Sequence, residues 1–348
     1  ASNVGAAADT VPDLGATALA GQGQSVVGLT SGETTETFDN GIPTAPNQNA
    51  LTGNGAATPS FGAFNIDVAS DSNITAQGFN NLDASASSTA GDAEAAAGYT
   101  NAADASVTGI ASGMSIDVGG VSNLMAQAQG TADSSASSVT GLAQSDSGMD
   151  AMGIADLQMN VSSDSDLSST SAVIGSADGE STSGAATADI DFDATGINGI
   201  DMNIGGIGSL ASTASVNGSS DATNVGAAPV LDDVATNGVD ESAFDLGSTA
   251  TGDLDATGLN SAHLFSSSDG DVSGIATIAG SINAESTAGD GLAEADFDAE
   301  GITNLEMGAG GLFDLAGQAQ VNADVSASSV SGKADAFSGA NYTEGTTE

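Results

Sequence analysis

A motif that returns every 43 residues constrains this chain more than any other feature. Its clearest copies are MSIDVGGVSNL (114–124), IDMNIGGIGSL (200–210) and LEMGAGGLFDL (305–315). Each has alternating apolar positions, then Gly-Gly, a hydrophobic residue, and Leu three places later. A sister form carries Ser and Asp in place of the glycines: LQMNVSSDSDL (157–167), echoed by AHLFSSSDGDV (262–272). The two forms alternate. Their starts at 114, 157, 200, 262 and 305 give steps of 43, 43, 62 and 43. A chain built this way is an array of stacked units.

Period-2 alternation within each unit predicts strands, because successive side chains of a strand point to opposite faces. Three strand-like stretches recur: the motif run itself, the run after its Leu (LASTASVNG, 210–218), and a run into the next unit (DIDFDATGI, 189–197). One face carries Ile, Met, Val, Leu and many Ala, and the other Asp, Asn, Ser and Gln. The Gly-Gly pairs (Gly119-Gly120, Gly205-Gly206, Gly310-Gly311) read as turns at positive φ. Gly109, Gly153, Gly196, Gly258 and Gly301 read as a further turn or bulge in each unit. The expected fold is all-β: a repetitive β-solenoid-like or stacked β-array of 43-residue repeats, with an antiparallel β-sandwich or meander of long strands as the alternative.

Residues 109–345 hold five such repeats, with an insertion at 225–247 that contains Pro229. Residues 61–108 read as degenerate first repeats, as terminal units of arrays often are. Residues 1–60 hold four of the five prolines and read as an extended Pro/Gly-rich arm. Its run QSVVGLT (24–30) is the best candidate for a donated strand. Gln24, Val26, Val27 and Leu29 would then join a neighbouring subunit.

Charge excludes several classes of function. There are 46 acids against one basic residue, Lys333, a net charge of −45. Nucleic acid needs Lys and Arg to neutralise its phosphates, and an anionic membrane surface would repel this chain. No apolar run reaches the roughly 20 residues of a spanning helix. The first residue is Ala1, as expected of a mature product whose signal has been removed. Near absence of Lys and Arg leaves trypsin-like proteases a single cleavage point, which suits an extracellular or cell-surface location. In composition the chain is similar to repetitive, Ala/Gly/Ser/Asp-rich secreted surface proteins of microbes.

Catalytic chemistry finds little to use. A Ser/His/Asp triad needs a histidine to take the proton, and only His263 is present, at a polar-face position. Aspartates two apart are the richer feature: Asp191 and Asp193, Asp253 and Asp255, Asp296 and Asp298. On stacked strands these would form a carboxylate ladder. Such oxygen ligands suit Ca²⁺, which accepts irregular cages, and Asp164 and Asp166 near the Ser/Asp turn make a second set. A carboxylate pair could also serve a polysaccharide-active enzyme, but the pair recurs in several units. The expectation is therefore a non-enzymatic, self-assembling subunit of a secreted filament, sheath or surface layer. The alternative is an adhesin or an ice- or mineral-binding surface. No small-molecule substrate is implied.

Overall fold

The computed structural model describes residues 71–89, 91–100, 103–110, 113–226, 246–339 and 341–343, together with the backbone of six short strands within the first 68 residues. Those six are β1 (Ser2–Thr10), β2 (Asp13–Ala18), β3 (Gly23–Val27), β4 (Glu36–Phe38), β5 (Asn49–Gly53) and β6 (Asn65–Val68). Then follow β7 (Ser72–Ser88), β8 (Ala93–Ala97), β9 (Tyr99–Thr100), β10 (Ala103–Ile110) and β11 (Met114–Val118). The long strands come next: β12 (Ser122–Ser138), β13 (Ala143–Val161), β14 (Ser165–Ser181), β15 (Ala186–Ile204) and β16 (Gly208–Asn224). They continue with β17 (Leu246–Ser266), β18 (Gly270–Ser286), β19 (Asp290–Ala309) and β20 (Phe313–Ser329). Two short strands, β21 (Ala334–Ser338) and β22 (Asn341–Thr343), close the series. Among the described residues there is no helix.

From β7 onward the chain alternates between two sheets. One has the order β1-β7-β12-β14-β16-β18-β20, and the other runs β21-β19-β17-β15-β13-β8-β3-β5-β4. The long strands pair parallel and in register, Ser122 with Ser165, Ser165 with Gly208, Gly208 with Gly270 and Gly270 with Phe313. Partners are thus 43, 43, 62 and 43 residues apart. Parallel neighbours need a long crossover, and here the crossover is the strand in the opposite sheet. Stacked parallel strands of this kind are consistent with a β-solenoid-like array. The antiparallel sandwich is set aside, since antiparallel pairing is confined to β4 with β5 and β9 with β10 among the described strands.

The structure merges two of the three predicted stretches. The run DIDFDATGI and the motif run IDMNI lie on one continuous strand, β15. The glycine between them is not a turn. Gly153, Gly196, Gly258 and Gly301 form a column where the two sheets touch backbone to backbone. A Cβ at Gly258 would lie 2.7 Å from Ile275 N, and one at Gly301 would lie 2.7 Å from Gln318 N. Ser169 Oγ donates to the Gly196 carbonyl at 2.6 Å across this pinch. Three residues on, Asp156, Gly199, Ser261 and Asn304 take left-handed φ values of 52, 87, 57 and 52°, and strand pairing skips both positions. The strand bends there and divides the interior in two. One compartment holds Met149, Ile190, Phe192, Leu254 and Phe297, and the other Leu157, Met159, Met202 and Leu264. Burying each such side chain contributes about 1.5–3 kcal/mol. Alanine fills much of the remaining interior, so the two sheets pack closely with little burial per residue.

The arm of residues 1–60 supplies strands to its own chain. β1 and β2 run along β7 at a constant offset of 70 residues, Ser2 with Ser72 and Asp13 with Asp83. β3, at the same offset, lies between β8 and β5. Gln24, Val26 and Val27 are on β3, while Leu29 lies outside the described residues, as do residues 227–245 of the insertion.

Candidate functional site

Two arrangements of carboxylates stand out, and they differ in chemistry. The first is at the turns. Asp164 of the Ser/Asp form accepts a hydrogen bond from Ile207 N–H at 2.9 Å, reaching into the next layer of the stack. Asp71 does the same for Val121 N–H at 2.9 Å, and Asp269 for Leu312 N–H at 2.8 Å. The opposite turns repeat the device, with Asp92 accepting from Leu142 N–H at 2.9 Å and Asp290 from Lys333 N–H at 2.6 Å. A carboxylate satisfies a backbone donor that has no strand partner.

This contact explains why the two motif forms alternate. A Cβ at Gly206 would overlap Asp164 Oδ1, and one at Gly311 would overlap Asp269 Oδ1. The first glycine of each pair lies against a carbonyl of the layer below, Gly205 on Ser162 and Gly310 on Ser267. None of these four glycines has the positive φ expected of them. Glycine is required for space, not for a left-handed backbone. Asp164 is therefore occupied as a cap, and Asp166 accepts a hydrogen bond from Ser209 Oγ.

The second arrangement is a ladder on the outward face of the other sheet. Asp150, Asp193, Asp255 and Asp298 are register partners on β13, β15, β17 and β19. Asp191, Asp253 and Asp296 form a parallel column two residues away. Asp146 and Asp189 begin a third, continued by Thr251 and Glu294. Neighbouring strands are about 4.8 Å apart, so each aspartate within a column has a like charge beside it. Burial and that repulsion act together. Burial first, then Asp150, Asp255, Asp191 and Asp253, push the Asp193 carboxyl up to about 7. Burial with Asp255, Asp191, Asp296 and Asp298 does the same for Asp253, to about 7. Asp150 and Asp255 rise to about 6, burial again being the larger cause. Asp146 reaches about 7 through burial and Asp189, against the opposing hydrogen bond from Gln144. Asp189 and Asp191 are also raised by burial.

All six paired aspartates named from sequence lie in this ladder, whereas Asp164 and Asp166 lie at the edge of the stack near a turn. Among the described residues no group of three or more acidic or histidine side chains converges on a single point that could hold a metal ion. Sequence reading missed Asp150, although its 43-residue spacing to Asp193 marks it. It also missed the turn aspartates as caps, although Asp71, Asp164 and Asp269 each lie one layer before a Gly-Gly-hydrophobic turn. His263 is half exposed, 3.8 Å from Glu306. No helix among the described residues is long and apolar enough to cross a membrane. No family model, curated protein or solved structure matches this chain.

Proposed function

We propose that this protein is a structural subunit, a β-solenoid of 43-residue coils that self-assembles through its open β-edges into an extracellular filament, sheath or surface layer. The observation that carries this reading is the parallel, in-register stack itself. Each layer receives another through ladder hydrogen bonds, and every second layer adds a turn carboxylate aimed at the next backbone. An open sheet edge presents a row of donors and acceptors that templates a further strand. On this reading the N-terminal strands can exchange onto a neighbouring copy, a route to assembly that needs no new interface. The acidic outward face holds copies apart until protons or cations, calcium among them, relieve its charge. Sedimentation over a range of protein concentration, salt and calcium tests the proposal. Association rising with concentration supports it, and monomer under every condition rejects it. Deleting residues 1–60 should leave a folded chain with weakened assembly.

A second reading has an observation of its own. The outward face of the β7–β12 pair carries amide ladders, with Gln77 Nε2 donating to Gln127 Oε1 at 3.0 Å and Asn123 Nδ2 to Asn73 Oδ1 at 2.8 Å. A regular polar lattice suits an adhesive, ice-binding or mineral-binding surface. Retention of monomeric protein on ice or a mineral support, lost when Gln77 and Gln127 become Ala, would favour it.

A further inference from the structure

The two ends of the stack are unlike. At the N-terminal end the sheet that contains β20 finishes on β1 and β2, and in the other sheet β5 lies on β3 with the three-residue β4 antiparallel to β5. A short antiparallel strand is a stop, because it breaks the parallel pattern that the next layer would continue. At the other end β20 pairs with β18 along all of its 17 residues. No described strand lies on its far side. Its inward residues are left half covered: Leu315 is 43% exposed, and Ala319, Val321, Val325 and Ala327 pack against the core only from below. An edge of this length with core residues showing is an aggregation hazard unless something covers it.

The geometry points to a second copy of this chain as the cover, with the two β20 strands antiparallel about a two-fold axis at Val321. This rests on the self-assembly reading above and names its first contact, a two-fold pair; growth beyond the pair uses the β1 and β2 edge of the same sheet. The sequence of β20 is self-complementary in that register. Inward residues meet inward residues, since the sum of paired numbers is even. Phe313 faces Ser329, Leu315 faces Ala327, and Val325 faces Gly317, large against small in each case. On the outward face Asp314 meets Ser328 and Asp324 meets Gln318, so no carboxylate opposes another. Like charges directly opposite destabilise a strand pair. A slip that sets Asp314 against Asp324 is thereby disfavoured. The head-to-tail alternative fares worse. Seating residues 2–18 of another copy on β20 in the register of the other layers would place Asp13 beside Asp324, a like-charge neighbour of the kind Asp13 already has in Asp83, so the obstacle lies elsewhere. In the second sheet β4 and β5 would stand in the way.

The chain has no cysteine, which makes the test direct. Val321→Cys should cross-link to itself on mild oxidation and give covalent dimers, since a two-fold axis brings the position against its own copy. Val216→Cys, in a strand paired on both sides, should stay monomeric. Mixing Val321→Cys with Thr10→Cys reports on head-to-tail stacking. A mixed dimer there would overturn the proposal. Gln318 is exposed, so changing it leaves the interior alone. Gln318→Lys should tighten dimerisation and Gln318→Asp weaken it, each by roughly threefold to tenfold for two symmetric pairs. A Val321→Cys variant that still associates but forms no disulfide would overturn the two-fold contact and leave the self-assembly reading standing. Absence of any association in the unaltered chain would remove both.

Discussion

Asp269 illustrates how one side chain dictates residue types a full repeat away. Its carboxylate accepts Leu312 N–H at 2.8 Å and fills the space a Cβ at Gly311 would need. Asp269→Ala should cost about 1.5–3 kcal/mol, the range for a hydrogen bond to a charged group. Gly311→Ala should cost more than an ordinary Gly→Ala change, because the new methyl meets the carboxylate. Combining the two should cost less than their sum, since each removes the other's clash or loss. Chemical denaturation of the four proteins measures this, and strict additivity would contradict the cross-layer contact. The alternation of forms was plain in the sequence, but its cause was not. Gly-Gly reads most simply as a left-handed turn, and only three dimensions reveal an aspartate from another layer at the same place.

The β13–β15–β17–β19 face carries the strongest prediction about pH. Asp146, Asp193 and Asp253 are raised to about 7 in the folded chain, from an ordinary value of 3.8. Between those values the folded state holds protons that the unfolded state releases. Stability from these groups is therefore full below about pH 4 and is lost as pH rises through about 7, the reverse of a salt-bridged aspartate. Melting temperature should fall from about pH 5 to about pH 8 at constant ionic strength. Asp193→Asn and Asp253→Asn should each raise it at the upper end of that range, by less than their shifts alone imply because solvent screens both exposed side chains, and little at the lower. A melting curve that is flat with pH would show that the ladder is fully relieved by other means. The strand pattern and the inward apolar positions were legible from period-2 alternation. The merging of two stretches into one long strand was not, because a glycine inside a strand resembles a break. Here Gly196 and its column mates are needed where the sheets touch, and the bend three residues later falls on Asp, Ser and Asn as well as Gly, without a shared residue type to mark it.

Six full strand layers at about 4.8 Å, each about 56 Å long, make a slab wider along its strands than along its stacking axis. Its charge of −45 has one basic residue to oppose it, so unscreened copies repel one another. Raising monovalent salt should promote association by shortening the Debye length to about 8 Å at physiological strength. Calcium at the same ionic strength should add to this if divalent ions bridge the ladder. A melting temperature and an assembly state that do not respond to calcium or chelator would remove it as a structural ion. The register argument needed only the 43-residue spacing, which is why stacking could be read from sequence. Which edges of the stack stay open could not, because in one sheet this depends on β4 and β5 folding back over β3. Electron microscopy of the purified chain in physiological salt is the most direct test of a self-assembling structural subunit. The expected images show slabs joined through their strand edges, with a repeat of about 4.8 Å along the stacking axis. Separate, single slabs at every protein and salt concentration would contradict it.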